Sequence, residues 1–328
     1  MIFRTLLILA ALPLAAHAGG SNYGITPGAP AKFSGSVSEW PVPTPRFARD
    51  PAIAPDGSVY ISVMTGDRIA RFDPQTKTFR EWNLPSGHHP HGLLVDKNGM
   101  VWTTGNGNGT IGKLDPATGK FVEYETPSGR GGPHTLVISD DQGTIWFTMQ
   151  SGNKVASLDT KSGKITEYPT SGGPYGLALD QAGNVWFCRM GDNKMGRLDP
   201  RTGKMTEVDT GRGSAPRRVA TGPDGMLWIA YYGNGKLAKL DPVAARVVKT
   251  YQLPGGDAGP YAVTLDGAGM VWVNEINTDT VVRLDPKTEK MQVVKLPSSN
   301  PGIRKMVTDA SGRLWYMGSH SGRLGVVE

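Results

Sequence analysis

A chain of 328 residues with 44 Gly, 25 Pro and a formal net charge of +6 has the length of two ordinary domains, and its glycine and proline content suits a polypeptide that reverses every few residues. Its one cysteine, Cys188, excludes an internal disulfide; beside Trp186 in an alternating run it reads as a small buried hydrophobe rather than a nucleophile. The positive excess is mild and forms no Lys/Arg stripe, which excludes a nucleic-acid partner and argues only weakly for anionic ligands.

Residues 1–18 combine a basic start at Arg4, an apolar stretch from Leu6 to Ala16 and the small-x-small triplet Ala16-His17-Ala18. This is the pattern of a secretory signal, with a periplasmic or secreted destination, and the apolar stretch is too short to span a bilayer. Residues 19–32 are rich in Gly, Pro and Ala and are expected to form a flexible leader. Residues 33–328 read as one domain.

Within that domain one segment recurs seven times between Phe47 and Glu328. Its anchor aromatics are Tyr60, Trp102, Trp146, Trp186, Trp228, Trp272 and Trp315, a period of 40 to 44 residues, and a Gly stands three residues before each. Blade four shows the unit. Leu177-Ala178-Leu179 is a short apolar strand, Val185-Trp186-Phe187-Cys188 a β-branched and aromatic one, Met195-Gly196-Arg197-Leu198 a third, and Lys204 to Val208 a more polar outer strand. Asp199-Pro200-Arg201-Thr202-Gly203, with Pro early and Gly late, suits a hairpin turn. No stretch has helical periodicity. The fold expected is all-β, a seven-bladed β-propeller of four-stranded blades.

The last copy stops after its third strand, Arg323 to Val327. The outer strands of blades one to three carry Glu and then an aromatic: Glu81-Trp82, Glu123-Tyr124 and Glu167-Tyr168. The same pair, Glu39-Trp40, lies upstream of the first copy. An N-terminal strand over residues 36–42 is therefore expected to close the last blade and remove both sheet edges.

In such a ring the first strand of each blade lines the central channel. The turns joining first to second strands are uniform from blade to blade and read as scaffold; the loops on the opposite, upper face vary, so function is sought there. Counting back from each blade glycine aligns one residue per blade at the upper mouth: Arg49, His91, His134, Tyr175, Arg217, Tyr261 and Arg304. These are three Arg, two His and two Tyr, with neither carboxylate nor aliphatic among them. His88, His89, His320, Arg189, Tyr231, Tyr232 and Glu275 fall on the same face. The set suits an anionic small-molecule or peptide ligand held by charge-assisted contacts. Arg and Tyr side chains can also serve there as structural donors to free carbonyls. His88-His89-Pro90-His91 is an imidazole-rich run of the kind metals bind, but no carboxylate or thiolate stands beside it, so no metal ligands are assigned.

Several motifs resemble the virginiamycin B lyase (streptogramin B lyase) family across nearly all of residues 33–328: Gly173-Pro174-Tyr175-Gly176-Leu177, Gly132-Pro133-His134-Thr135-Leu136, Ile145-Trp146-Phe147-Thr148, Asn193 to Leu198 and Ile165-Thr166-Glu167-Tyr168-Pro169. The resemblance implies a monomeric seven-bladed propeller that opens a cyclic depsipeptide by elimination across its ester, without adding water, and uses Mg²⁺ held by carboxylates. It also implies a His base at the channel mouth aided by a second His from the adjacent blade. Here His91 and His134 are the adjacent pair. Gly132 and Met149 stand where the family pattern would place carboxylates, and Glu275 alone ends a Trp-x-x-Glu run. Two functions follow: a carbon–oxygen lyase with His91 and His134 as catalytic residues, or a non-catalytic propeller whose mouth, with Arg49, Tyr175, Arg217, Tyr261, Arg304 and Glu275, binds an anionic ligand.

Overall fold

A computed structural model describes residues 23–30 and 32–328; the signal sequence expected at 1–18 lies outside the described residues. The chain forms seven sheets of four antiparallel strands. Six blades run in sequence order from the channel outward. In the seventh, Val37–Pro41 pairs antiparallel with Arg323–Val327, from Val37 opposite Val327 to Pro41 opposite Arg323. The ring is thus closed by its N-terminal strand, as the unpaired edge of the last repeat required. Among the described residues no helix is long and apolar enough to cross a membrane.

The repeated motif has a physical basis. In blade two, Asp96 accepts the backbone N–H groups of Asn98 and Met100 at 2.9 and 3.0 Å, closing the turn, and its second oxygen accepts the Trp102 indole N–H at 2.9 Å. Asp180 with Trp186 and Asp309 with Trp315 repeat the pairing. Each such aspartate ties the turn to the buried anchor, so indole and carboxylate leave water with their polar atoms satisfied.

The Glu–aromatic pair of the outer strands is also accounted for. The aromatic stacks on the anchor of its own blade: Trp82 on Tyr60 at 6.0 Å, Tyr124 on Trp102 at 6.0 Å, Tyr168 on Trp146 at 5.8 Å and Trp40 on Trp315 at 6.2 Å. The glutamate reaches up to the loop entering its own blade. Glu81 accepts from Thr44, Glu167 from Ser128, and Glu39 from Ser298 and, at 2.7 Å, from Tyr316.

Residues 23–30, read from composition as part of a leader, lie across the lower end of the channel. Gly28 N–H donates to Asp309 O at 2.9 Å, and Gly267 N–H donates to Gly28 O at 2.8 Å. A Cβ on Gly28 would stand 1.8 Å from the Ala310 carbonyl oxygen, so the close approach needs glycine. The Tyr23 ring packs on the cluster containing Val137 of blade three and Leu177 of blade four, while Lys305 Nζ of blade seven lies 4.4 Å from its centroid. Contacts with blades on opposite sides place Tyr23 on the channel axis, and burial raises its phenol to about 12.

Candidate functional site

Each first strand opens at the upper face: Ala48–Ile53, Pro90–Val95, Pro133–Ile138, Pro174–Leu179, Pro216–Thr221, Pro260–Leu265 and Ile303–Thr308. The aligned mouth residue is the second of each. Pairing with the second strand shifts register at this point in every blade, as between Pro133 and Leu136 or Pro174 and Leu177. The irregularity pulls backbone groups out of the ladder.

Side chains from the second strands satisfy those groups. Thr104 Oγ1 accepts Gly92 N–H at 2.7 Å and donates to His134 O at 2.9 Å; Thr148 accepts Thr135 N–H and donates to Tyr175 O. Ser62 and Asn274 make the same link between their blades. Every such residue stitches its own blade to the mouth strand of the next. The mouth residues are therefore held on rigid elements rather than on loops.

Six of the seven aligned side chains form one contact chain across the mouth. The His91 and His134 rings lie 3.8 Å apart by centroid, and the His134 and Tyr175 rings 3.9 Å apart. The Tyr175 hydroxyl hydrogen-bonds the Tyr261 hydroxyl. Arg217 lies over the Tyr261, Tyr232 and Tyr175 rings at 4.1, 4.4 and 4.7 Å. Arg304 lies 5.5 Å from the Tyr261 centroid. Arg304 and Arg49 both lie over the Phe47 ring, at 5.1 and 5.4 Å, which brings the seventh residue in.

Other candidates point elsewhere. Glu275 is buried with Oε2 accepting from Gly255 N–H at 3.0 Å, and burial raises its pKa; among the described residues its carboxylate has no recorded contact with the seven. His88 donates to Glu123 at 2.8 Å inside blade two, and His89 N–H donates to Asp67, so the His88–His91 run diverges. His320 shares a hydrogen bond with Arg304 at 3.1 Å on the rim. Arg189 is engaged by Asp192 and Glu207.

The electrostatics are one-sided. Arg49 Nε and Nη2, Arg217 Nε and Arg304 Nε are buried without hydrogen-bond partners. Burial and then Arg49 hold His91 well below the ordinary imidazole value; burial and then Arg218 do the same to His134. Both rings are neutral at neutral pH. Burial raises the Tyr261 phenol, but Arg49, Arg217 and Arg218 outweigh it and bring the group down to about 8.

One row deeper lies a set that alignment on the mouth passed over, although a count shifted by one residue finds it: Asp50, Gly92, Thr135, Gly176, Arg218, Ala262 and Lys305. Arg218 Nη1 donates to Thr135 Oγ1 at 2.7 Å and Nη2 to Asp50 Oδ2 at 3.5 Å. Asp50 also faces Arg49 Nε at 3.9 Å. Lys305 Nζ donates to Leu93 O at 2.5 Å, and burial lowers its pKa to about 8. Arg49 and Arg218 thus share this one carboxylate.

Among the described residues no group of three or more His, Cys, Asp or Glu side chains is placed to hold a metal ion. The mouth offers imidazole, phenol and guanidinium, a poor match for Mg²⁺, which takes carboxylate and carbonyl oxygens.

Comparison with known proteins agrees with this architecture. No curated protein matches the chain. A solved streptogramin B lyase is 25% identical over 89% of this chain and 96% of its own, with a TM-score of 0.81. Virginiamycin B lyase from Staphylococcus aureus shares the fold at 21% identity, covering 89% of this chain and 98% of its own, with a TM-score of 0.82. A catalytically inactive form of the Staphylococcus aureus enzyme with quinupristin gives 22%, the same coverage and 0.80. The virginiamycin B lyase family model matches residues 29–172 and 78–328, and the chain belongs to that family.

Proposed function

We propose that the upper mouth is a lyase site that opens a cyclic ester by elimination. The observation that carries this reading is the set of unpartnered guanidinium N–H groups beside two neutral imidazoles, with no carboxylate in the ring. Elimination needs both parts. A base removes the proton on the carbon next to a carbonyl, the electron pair forms the new C=C bond, and the β C–O bond breaks to release a carboxylate. Negative charge develops on the carbonyl oxygen and then on the leaving group. The free N–H groups of Arg49, Arg217 and Arg304 would stabilise both, the task that a metal ion performs elsewhere. His91 and His134 form the acid–base pair, and neutral rings can accept a proton at neutral pH. The family name and the likeness to streptogramin B lyase support a cyclic depsipeptide as substrate class.

Incubation with quinupristin, followed by mass spectrometry with and without EDTA, tests the reading. An unsaturated linear product of unchanged mass, formed equally in EDTA, is expected. Intact quinupristin after prolonged incubation with stoichiometric protein would reject it. The close packing of the ring, with Tyr175 bonded to Tyr261 and the imidazoles in contact, favours a second reading, non-catalytic binding of an anionic small molecule or peptide. Saturable binding without turnover would select it. The pattern of residues 1–18 supports export to the periplasm or beyond.

A further inference from the structure

We propose that Thr135, braced by Arg218 on Asp50, fixes His134 in the Nε2–H tautomer, so that His134 serves the site as a hydrogen-bond donor and the proton-accepting role falls to His91. The inference comes from counting protons along one buried chain of contacts. Arg218, 2% exposed, donates from Nη1 to Thr135 Oγ1 at 2.7 Å. Guanidinium nitrogens can only donate, so this oxygen is an acceptor towards Arg218. The same oxygen lies 3.0 Å from His134 Nδ1. Thr135 is 1% exposed and has one hydroxyl proton to place. If Nδ1 carried the imidazole proton, Oγ1 would accept twice and its own proton would have no recorded acceptor. If Nδ1 is bare, the hydroxyl donates to it, and both the Thr135 proton and the Nδ1 lone pair are satisfied. A buried donor without a partner costs about 1–3 kcal/mol, enough to set the tautomer.

The direction of the first bond is secured from below. Asp50, fully buried, lies 3.5 Å from Arg218 Nη2, and its backbone N–H is held by Ser62 Oγ at 3.1 Å. Thr135 is fixed independently, its N–H donating to Thr148 Oγ1 at 3.2 Å. A neutral imidazole has a single N–H. With that proton on Nε2, His134 offers a donor to a substrate carbonyl or enolate oxygen instead of a lone pair to a C–H. Arg218, Asp50 and Thr135 are positioning residues, since none of them is placed to touch a ligand.

The donor role rests on the mouth being the site of ester elimination, but the tautomer does not, and the two are measured separately. Imidazole ¹⁵N shifts and long-range ¹H–¹⁵N couplings are recorded on the full mature chain without ligand, with the His134 signals assigned by their loss in His134→Gln. Wild type is expected to show Nε2 protonated and Nδ1 bare. Thr135→Val should move His134 towards a mixture of tautomers, and Thr135→Ser should restore the wild-type pattern. A wild-type ring protonated on Nδ1, or a Thr135→Val spectrum unchanged from wild type, overturns the proposal. If the valine variant does not fold, the wild-type and serine spectra still decide. In a chain that turns over quinupristin, Thr135→Val should lower kcat about tenfold with little change in KM, the loss of one positioned donor. Absence of turnover would count against the lyase reading and leave the tautomer result standing.

Discussion

The mouth arginines are unusual in burying N–H groups without acceptors. A ligand oxyanion would complete them, and each such contact contributes about 1.5–3 kcal/mol, tenfold or more in affinity. Arg217→Ala and Arg304→Ala are each expected to weaken binding of quinupristin by about that factor in calorimetry while the melting temperature stays within a few degrees. Affinity unchanged in both variants would make these residues structural. The two imidazoles give a second expectation. Folding holds both well below the ordinary value, so below about pH 6.5 the unfolded chain binds more protons than the folded one, and stability falls as pH falls. Each ring contributes up to ~1.4 kcal/mol per pH unit there. Urea midpoints for His91→Gln/His134→Gln should therefore decline less between pH 6.5 and 5 than those of wild type. Parallel slopes would mean the histidines charge freely in the fold.

Two N-terminal elements have different jobs, and deletion separates them. Val37–Pro41 supplies the fourth strand of blade seven, with Trp40 against Phe72 at 4.8 Å and Glu39 holding Tyr316. Removing residues 19–45 leaves Arg323–Val327 with an open edge, and the protein is expected to aggregate or pair edge to edge in size-exclusion chromatography. Residues 23–30 add no strand. They cover the lower channel through Tyr23, Ile25 and two backbone hydrogen bonds. A chain starting at residue 32 should stay monomeric and lose several degrees of melting temperature, since each large apolar side chain buried contributes about 1.5–3 kcal/mol. If the shorter deletion melts unchanged, the lower plug contributes nothing to the fold.

The N-terminal strand completes blade seven as a four-stranded blade like the other six, so the protein is expected to be a monomer in solution. It is expected to be exported as well, with the mature chain beginning at Gly19. Edman sequencing of the exported protein checks the cleavage point; a start well inside the first strand would remove the strand that closes the ring.

The number of blades, the anchors and the N-terminal closure were legible in the chain because each is local or periodic. A missing outer strand shows as a gap in a repeat. The seven mouth residues were legible for the same reason, since repetition places equivalent positions on one circle. What the sequence could not decide is which way each side chain turns once there. Glu275 turns to Gly255 and His88 to Glu123, although both share the upper face. Arg218 reaches Thr135 across 83 residues and Asp50 across 168. Those pairings exist because closing the ring brings strands from non-neighbouring blades face to face across a narrow channel, where a buried guanidinium is held by acceptors on other blades. No periodicity encodes that arrangement; only the closed tertiary structure imposes it.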